Sequence, residues 1–175
     1  MKINILPILE DHFDTLKNAK SGKHSLWDFM LFYGLPAAIA AAPWFFCIRF
    51  DEPFYNLSIT FFGIFIALLL NVQVAIFGIF QRKWDKPEDE NLAEIQAEKL
   101  DQRRKLLGEL NANLSYMTLF SCVALVAFLG FFVFDTPATV AACVTTALYM
   151  HFILTLMMSV KRAHTLFQME YEGHV

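Results

Sequence analysis

The sequence predicts an all-α integral membrane fold, with four transmembrane helices and a cytoplasmic helical arm between spans two and three. Composition is the first sign. Of 175 residues, 57% are apolar, 19 are Phe and only 18% are charged, which is too apolar for a soluble domain of this size. The second sign is clustering: the apolar residues gather into four runs of about 20, the length that crosses roughly 30 Å of hydrocarbon. The third is the placement of Lys and Arg. Thirteen of the fourteen cations fall on one side of the four runs, and Arg49 alone lies on the other. This positive-inside bias puts both termini and the arm in the cytoplasm.

Residues 1–25 form an amphipathic cytoplasmic segment. Ile5, Leu9, Phe13 and Leu16 recur at helical spacing, with Glu10, Asp14 and Lys17 elsewhere. A short helix is expected over Ile5 to Ala19, lying on the membrane surface or on another part of the protein. Glu10, Asp11 and Asp14 exclude a secretory signal, so the first span acts as its own insertion signal. Ser21-Gly22 ends the helix, and Lys17, Lys20, Lys23 and Trp27 suit a headgroup boundary.

Residues 26–80 hold spans one and two. Span one, about Phe29 to Ile48, contains Pro36 and Pro43, each of which removes a backbone donor. Gly34, Ala38 and Ala42 form a small-residue stripe on it. Arg49, Asp51, Glu52 and Pro53 make a short outer turn. Span two, about Leu57 to Phe80, repeats the stripe with Gly63, Ala67, Asn71 and Ala75. Asn71 and Gln73 are therefore intramembrane amides, costly unless they find partners.

Residues 81–113 form the charged arm, opening with Lys86-Pro87 and the acids Glu88, Asp89 and Glu90 that favour a helix start. Ala93, Gln96, Leu100, Arg103, Leu107, Leu110 and Leu114 alternate by three and four. They read either as a weak coiled-coil seam or as one side of a solvated helix, and the helix runs unbroken into span three. Residues 114–160 hold span three, with Ser115, Thr118 and Ser121 on one face, the tight Asp135-Thr136-Pro137 turn, and span four. Lys161-Arg162 closes span four, and 161–175 is a short cytoplasmic tail.

Catalysis is not expected. There is no H-E-x-x-H, no phosphate-cradling glycine loop, no G-x-S-x-G and no carboxylate inside any span. Cys47, Cys122 and Cys143 lack C-x-x-C spacing, so neither a metal nor another cofactor is expected, and small buried hydrophobes are the reading. His151 is the single ionisable side chain at mid-bilayer depth, with Thr155 on its face. It is either tied to Asn71 or Gln73 across a helix interface or part of a conduction path. Arg103, Arg104 and Lys105 precede the membrane by about two and a half turns. They serve either as a topology and headgroup anchor or, repeated around an oligomer axis, as a collar for a nucleotide or oligonucleotide. The small-residue stripes suit self-association into a homo-oligomer, and packing within one subunit would use the same stripes.

The segments RRKLLGELNANLSYMTLF (Arg103 to Phe120) and LWDFMLFYGLPAAIAA (Leu26 to Ala41) resemble small four-span membrane effectors of bacterial anti-phage defence. By size and plan the chain is similar to the Hailong-type membrane effector, and secondly to the membrane subunit of Kiwa systems. The first resemblance implies an oligomeric channel in the bacterial inner membrane. Such a channel is held shut by a nucleic-acid oligomer from a partner nucleotidyltransferase, and its opening depolarises the cell and arrests growth. Arg103, Arg104 and Lys105 would then meet the ligand, and Asn71 and His151 the ions. The second implies that the arm docks a cytoplasmic partner protein, with no pore.

Overall fold

A computed structural model describes residues 4–16, 26–81 and 90–172, and every described element is helical. Helix α1 covers Leu6–Asp14. A broken segment follows, consisting of α2 (Leu26–Phe29), a π-helical turn (Met30–Gly34), α3 (Leu35–Ala40) and α4 (Ala42–Phe45). The long helices are α5 (Glu52–Phe80), α6 (Glu90–Val133) and α7 (Ala138–Glu172). These three are long and apolar enough to cross a membrane, whereas the apolar segment Met30–Phe45 is shorter. Lys17, Lys20, Lys23, Ser21-Gly22 and the stretch from Lys86 to Asp89 lie outside the described residues.

Span one, expected over about Phe29 to Ile48 with possible kinks at Pro36 and Pro43, is divided at these prolines into short helical pieces. In an α-helix the carbonyl of Phe32 would accept from residue 36, which is a proline without an N–H. The backbone widens just before it, and Leu35 N donates to Met30 O in a π-type bond. Pro43 lies within α4, which ends at Phe45. Cys47 then adopts φ 51° at the start of the outer turn.

Helix α5 starts where its sequence says it should. Asp51, in extended conformation, accepts from Phe54 N at 3.2 Å, and Pro53 occupies the first turn. Helix α6 joins the arm to the apolar run without a break, as the continuous spacing predicts. At its far end Asp135 takes φ 45°, a conformation Asp tolerates, and the chain reverses into α7. Helix α7 does not stop at Val160. It continues to Glu172, so most of the predicted tail is helical. The apolar seam also finds a use: Leu107, Leu110 and Leu114 are buried in the chain's own core, beside α5 and α7. Of the seam, the side chains of Ala93 and Gln96 lie outside the described residues.

Helix α6 is central. It packs on α5, on α7 and on α1, while α7 also receives the broken segment. The core between the long helices is aromatic. Phe62 of α5, Phe128 of α6 and Phe152 of α7 are fully buried, with the Phe62 ring tilted against Phe128 at 5.6 Å and edge-on to Phe152 at 5.3 Å between centroids. Hydroxyls inside this apolar layer are satisfied locally. Thr118, Ser121, Thr145, Thr155 and Ser159 each donate to the carbonyl four residues back.

At the charged end of the bundle two arginines join the helices. Arg103 of α6 is buried, pairs through Nε with Glu170 of α7, and donates from Nη2 to the carbonyl of Ile79 in the last turn of α5 at 2.6 Å. Arg162 of α7 pairs with Glu109 of α6 at 3.3 Å and donates to the carbonyl of Thr15, the C-cap of α1, at 2.7 Å. Each guanidinium therefore meets the negative end of a third helix while bridging α6 to α7. Removing one member of a buried pair strands the other charge, at a cost of about 3–5 kcal/mol. Arg103→Met and Glu170→Met should each lower the thermal midpoint of detergent-solubilised protein sharply. The double replacement should be milder than either, and an additive double replacement would show that the two side chains act independently.

Candidate functional site

The site with the densest polar chemistry lies where α1, the π-turn, α6 and α7 meet. Helix α6 projects Asn113 and Tyr116 one turn apart toward α1 and α7, and both are buried. Helix α1 projects His12, fully buried although it lies on a short surface helix. His12 Nδ1 is 2.9 Å from Asn113 Oδ1, and its ring lies flat on Tyr116 with centroids 3.7 Å apart and planes 2° apart. Thr15 tightens the corner by donating to His12 O at 2.7 Å, and its hydroxyl also lies 3.0 Å from Asn113 Oδ1.

His151 continues the chain of contacts. Its Nδ1 is 2.9 Å from the carbonyl of Phe32, and its Nε2 is 2.8 Å from the Tyr116 hydroxyl. A carbonyl can only accept, so Nδ1 carries the proton. A neutral ring then leaves Nε2 as acceptor, and Tyr116 donates to it. The carbonyl of Phe32 is the one that Pro36 leaves without its helical donor. His151 replaces that donor from another helix, which is how a broken helix keeps its backbone satisfied in an apolar setting. Tyr33 and Phe120 enclose the ring, with centroids 5.0 and 4.9 Å away.

The candidate residues of the sequence are thus separated. His151 and Thr155 are buried on the α6 side of α7, and Thr155 donates to the His151 carbonyl at 2.9 Å. Neither Asn71 nor Gln73 is the partner of His151. Gln73 donates to Ser115 Oγ across the α5–α6 interface at 2.8 Å, while Asn71 is exposed. Arg103, Arg104 and Lys105 do not form one collar, because Arg103 is turned into the Glu170 pair and only Arg104 and Lys105 are exposed. Lys105 borders a cavity of about 540 Å³ that also carries Asp11, Asp14 and Glu109, a charge mixture unsuited to phosphate.

His12, Asn113, Tyr116 and Glu170 were not picked out from the sequence. The signals available are weak: a histidine beside the apolar face of Ile5, Leu9, Phe13 and Leu16, and an Asn and a Tyr at i+3 spacing at the entry to span three. Among the described residues no group of His, Cys, Asp and Glu is arranged to hold a metal ion. Set against known protein families, curated proteins and solved structures, the chain matches none of them. The class defined by the fold is an all-helical chain built on three membrane-length helices, with a buried His–Tyr–His cluster beside a proline-broken fourth segment.

Burial holds the His12 imidazole down at about 4, against 6.5 for a free one, with the hydrogen bond to Asn113 opposing and the nearby His151 and Arg162 reinforcing the shift. Between those values the undocked helix binds a proton that the docked one refuses. Docking of α1 should therefore be fully stable above pH 6.5 and weaken as pH falls toward 4. Hydrogen exchange of the α1 amides should show this acid-induced opening, and His12→Gln should flatten its pH dependence. Separately, His151→Leu strands the Phe32 carbonyl, a loss of about 1–3 kcal/mol. Adding Pro36→Ala returns a backbone N–H to that carbonyl and should recover part of the lost thermal stability; a double variant no more stable than His151→Leu would contradict this account.

Proposed function

We propose that the chain is an integral membrane protein of four spans that assembles with copies of itself and conducts ions between them, as an effector that depolarises a bacterial membrane. The carrying observation is the outward face of α5. Asn71 is exposed there, between the exposed Ala67 and Ala75, and its side chain makes no hydrogen bond among the described residues. No charged residue lies between Glu52 and Phe80, so this amide sits inside an apolar helix of 29 residues, about 43 Å long. An amide facing hydrocarbon is unfavourable, and a neighbouring copy presenting the same amide along a stripe of small residues would satisfy it.

The path for ions is placed between copies because the protomer is filled. Phe62, Phe128 and Phe152 close the space between α5, α6 and α7, and His151 is occupied by Tyr116 and Phe32. The fourth crossing is the broken segment over 26–48, supplemented by its packing on α7. Orientation rests on the thirteen-to-one distribution of cations, which puts the charged ends of α6 and α7 in the cytoplasm. Anti-phage defence as the setting, and gating by a nucleotide or oligonucleotide, rest on the resemblance stated above. With Arg103 committed to Glu170, such a ligand would be held by the exposed Arg104 and Lys105.

A second reading is favoured by an exposed basic face of α6. Lys99, Arg104 and Lys105 project from α6 outside the bundle and suit docking of an acidic cytoplasmic protein by a membrane anchor without a pore. Reconstitution decides between the two. Purified protein in phosphatidylethanolamine–phosphatidylglycerol vesicles should release a potassium gradient and run as an oligomer, and Asn71→Leu should reduce the flux and shift the mass toward the protomer. Tight vesicles with a monomeric protein would favour the anchor.

A further inference from the structure

We infer that the cavity between the end of α1, the π-turn, α6 and α7 seats one anionic glycerophospholipid, with the phosphate on Lys161 and an acyl chain along Leu31, Leu154 and Met157. The cavity measures about 630 Å³ and is lined by these residues together with Glu109 and Arg162. Its chemistry changes along its length. Glu109 is the last charged residue of α6 before the turn to α7, and Lys161 is the first charged residue of α7 after it. The cavity therefore straddles the boundary where the apolar stretches of both helices end, which is the depth of a headgroup.

Among the described lining residues the charge at that boundary is positive. Glu109 is neutralised by its pair with Arg162, whose Nη2 is engaged by the Thr15 carbonyl, and this leaves the exposed Lys161 ammonium as the balance. Below it the wall is aliphatic: Leu31 and Met157 are exposed, and Leu154 is half-buried. A cation over a greasy slot is complementary to a phosphate diester carrying acyl chains, and a methionine wall adapts to the shape of such a chain. Two other cavities lack this pairing. The crevice of about 330 Å³ between α5, α6 and α7 is lined by apolar side chains and Ser159 with no charge to fix a headgroup, and the α1–α6 cavity of about 540 Å³ is dominated by acids.

The inference stands apart from ion conduction, and it is tested by native mass spectrometry of the full chain in detergent. Three probes are titrated: dioleoylphosphatidylglycerol, dioleoylphosphatidylcholine and inorganic phosphate. One phosphatidylglycerol should stay bound per chain, at concentrations where phosphatidylcholine and phosphate do not. Lys161→Glu should weaken its retention about tenfold and Lys161→Gln by less, as expected for one surface cation. Met157→Trp, which fills the apolar wall, should weaken it as well, while Lys99→Glu, a charge reversal elsewhere on an exposed face, should not. Lys161→Gln keeps the test open if the charge reversal impairs folding. Equal losses in the Lys161 and Lys99 variants, retention of phosphate alone, or no retained lipid would each overturn the site.

Discussion

The Arg103 guanidinium ties the three long helices together at one level. It is supplied by α6, answered by a carboxylate of α7, and turned onto the carbonyl of Ile79 in the last turn of α5. Arg162 and Glu109 repeat the arrangement with the roles of α6 and α7 exchanged, this time fastening α1. Both pairs join helices that run in opposite directions, so they set the register of α6 against α7 along the whole apolar layer. The aromatic core, with Phe128 of α6 and Phe152 of α7 meeting Phe62, lies within that register. Charges at such sites are tolerable only because each has both an opposite charge and a helix terminus to face.

The same need for a partner explains the broken segment. Proline in an apolar helix frees a carbonyl that water cannot reach, and here a histidine from α7 meets it. That choice then determines the rest of the cluster. With Nδ1 donating to Phe32, Nε2 must accept, Tyr116 becomes the donor, and its ring is presented to His12. A surface helix and a mid-layer break are thus connected through two side chains of α6 and one of α7. Contacts of this kind tie the position of α1 to the packing of the broken segment, and the titration of His12 is the point at which solvent conditions enter the network.

For function, the protein's filled interior and its outward amide point in the same direction. A protomer whose centre is aromatic offers no route through itself, and its unsatisfied polar surface lies on the opposite side of α5 from that centre. The proposed assembly with further copies would answer both facts. The lipid-complementary cavity lies on the other flank, beside α1, so the two surfaces do not compete for the same residues.

Much of the fold was legible in the residues themselves. Run lengths determine which helices can span, Asp51 and Pro53 mark the start of α5, Asp135 and Pro137 mark the α6–α7 turn, and Pro36 and Pro43 mark where span one cannot be regular. All of these act through the backbone over a few residues, so they can be read without knowing the neighbours. Partner choice could not be read. In the sequence Arg103 belongs to a basic cluster, and its partner Glu170 stands 67 residues away; His151 has the amides of span two as candidate partners, and the fold gives it Tyr116 and the Phe32 carbonyl instead. His12 stood as one polar residue on a surface helix because its partner Asn113 is 101 residues distant. Composition determined that these polar groups would need partners. Only the packing of α6 against its neighbours decided which ones, because hydrogen-bond reach is a few ångströms and sequence spacing does not encode distance between helices.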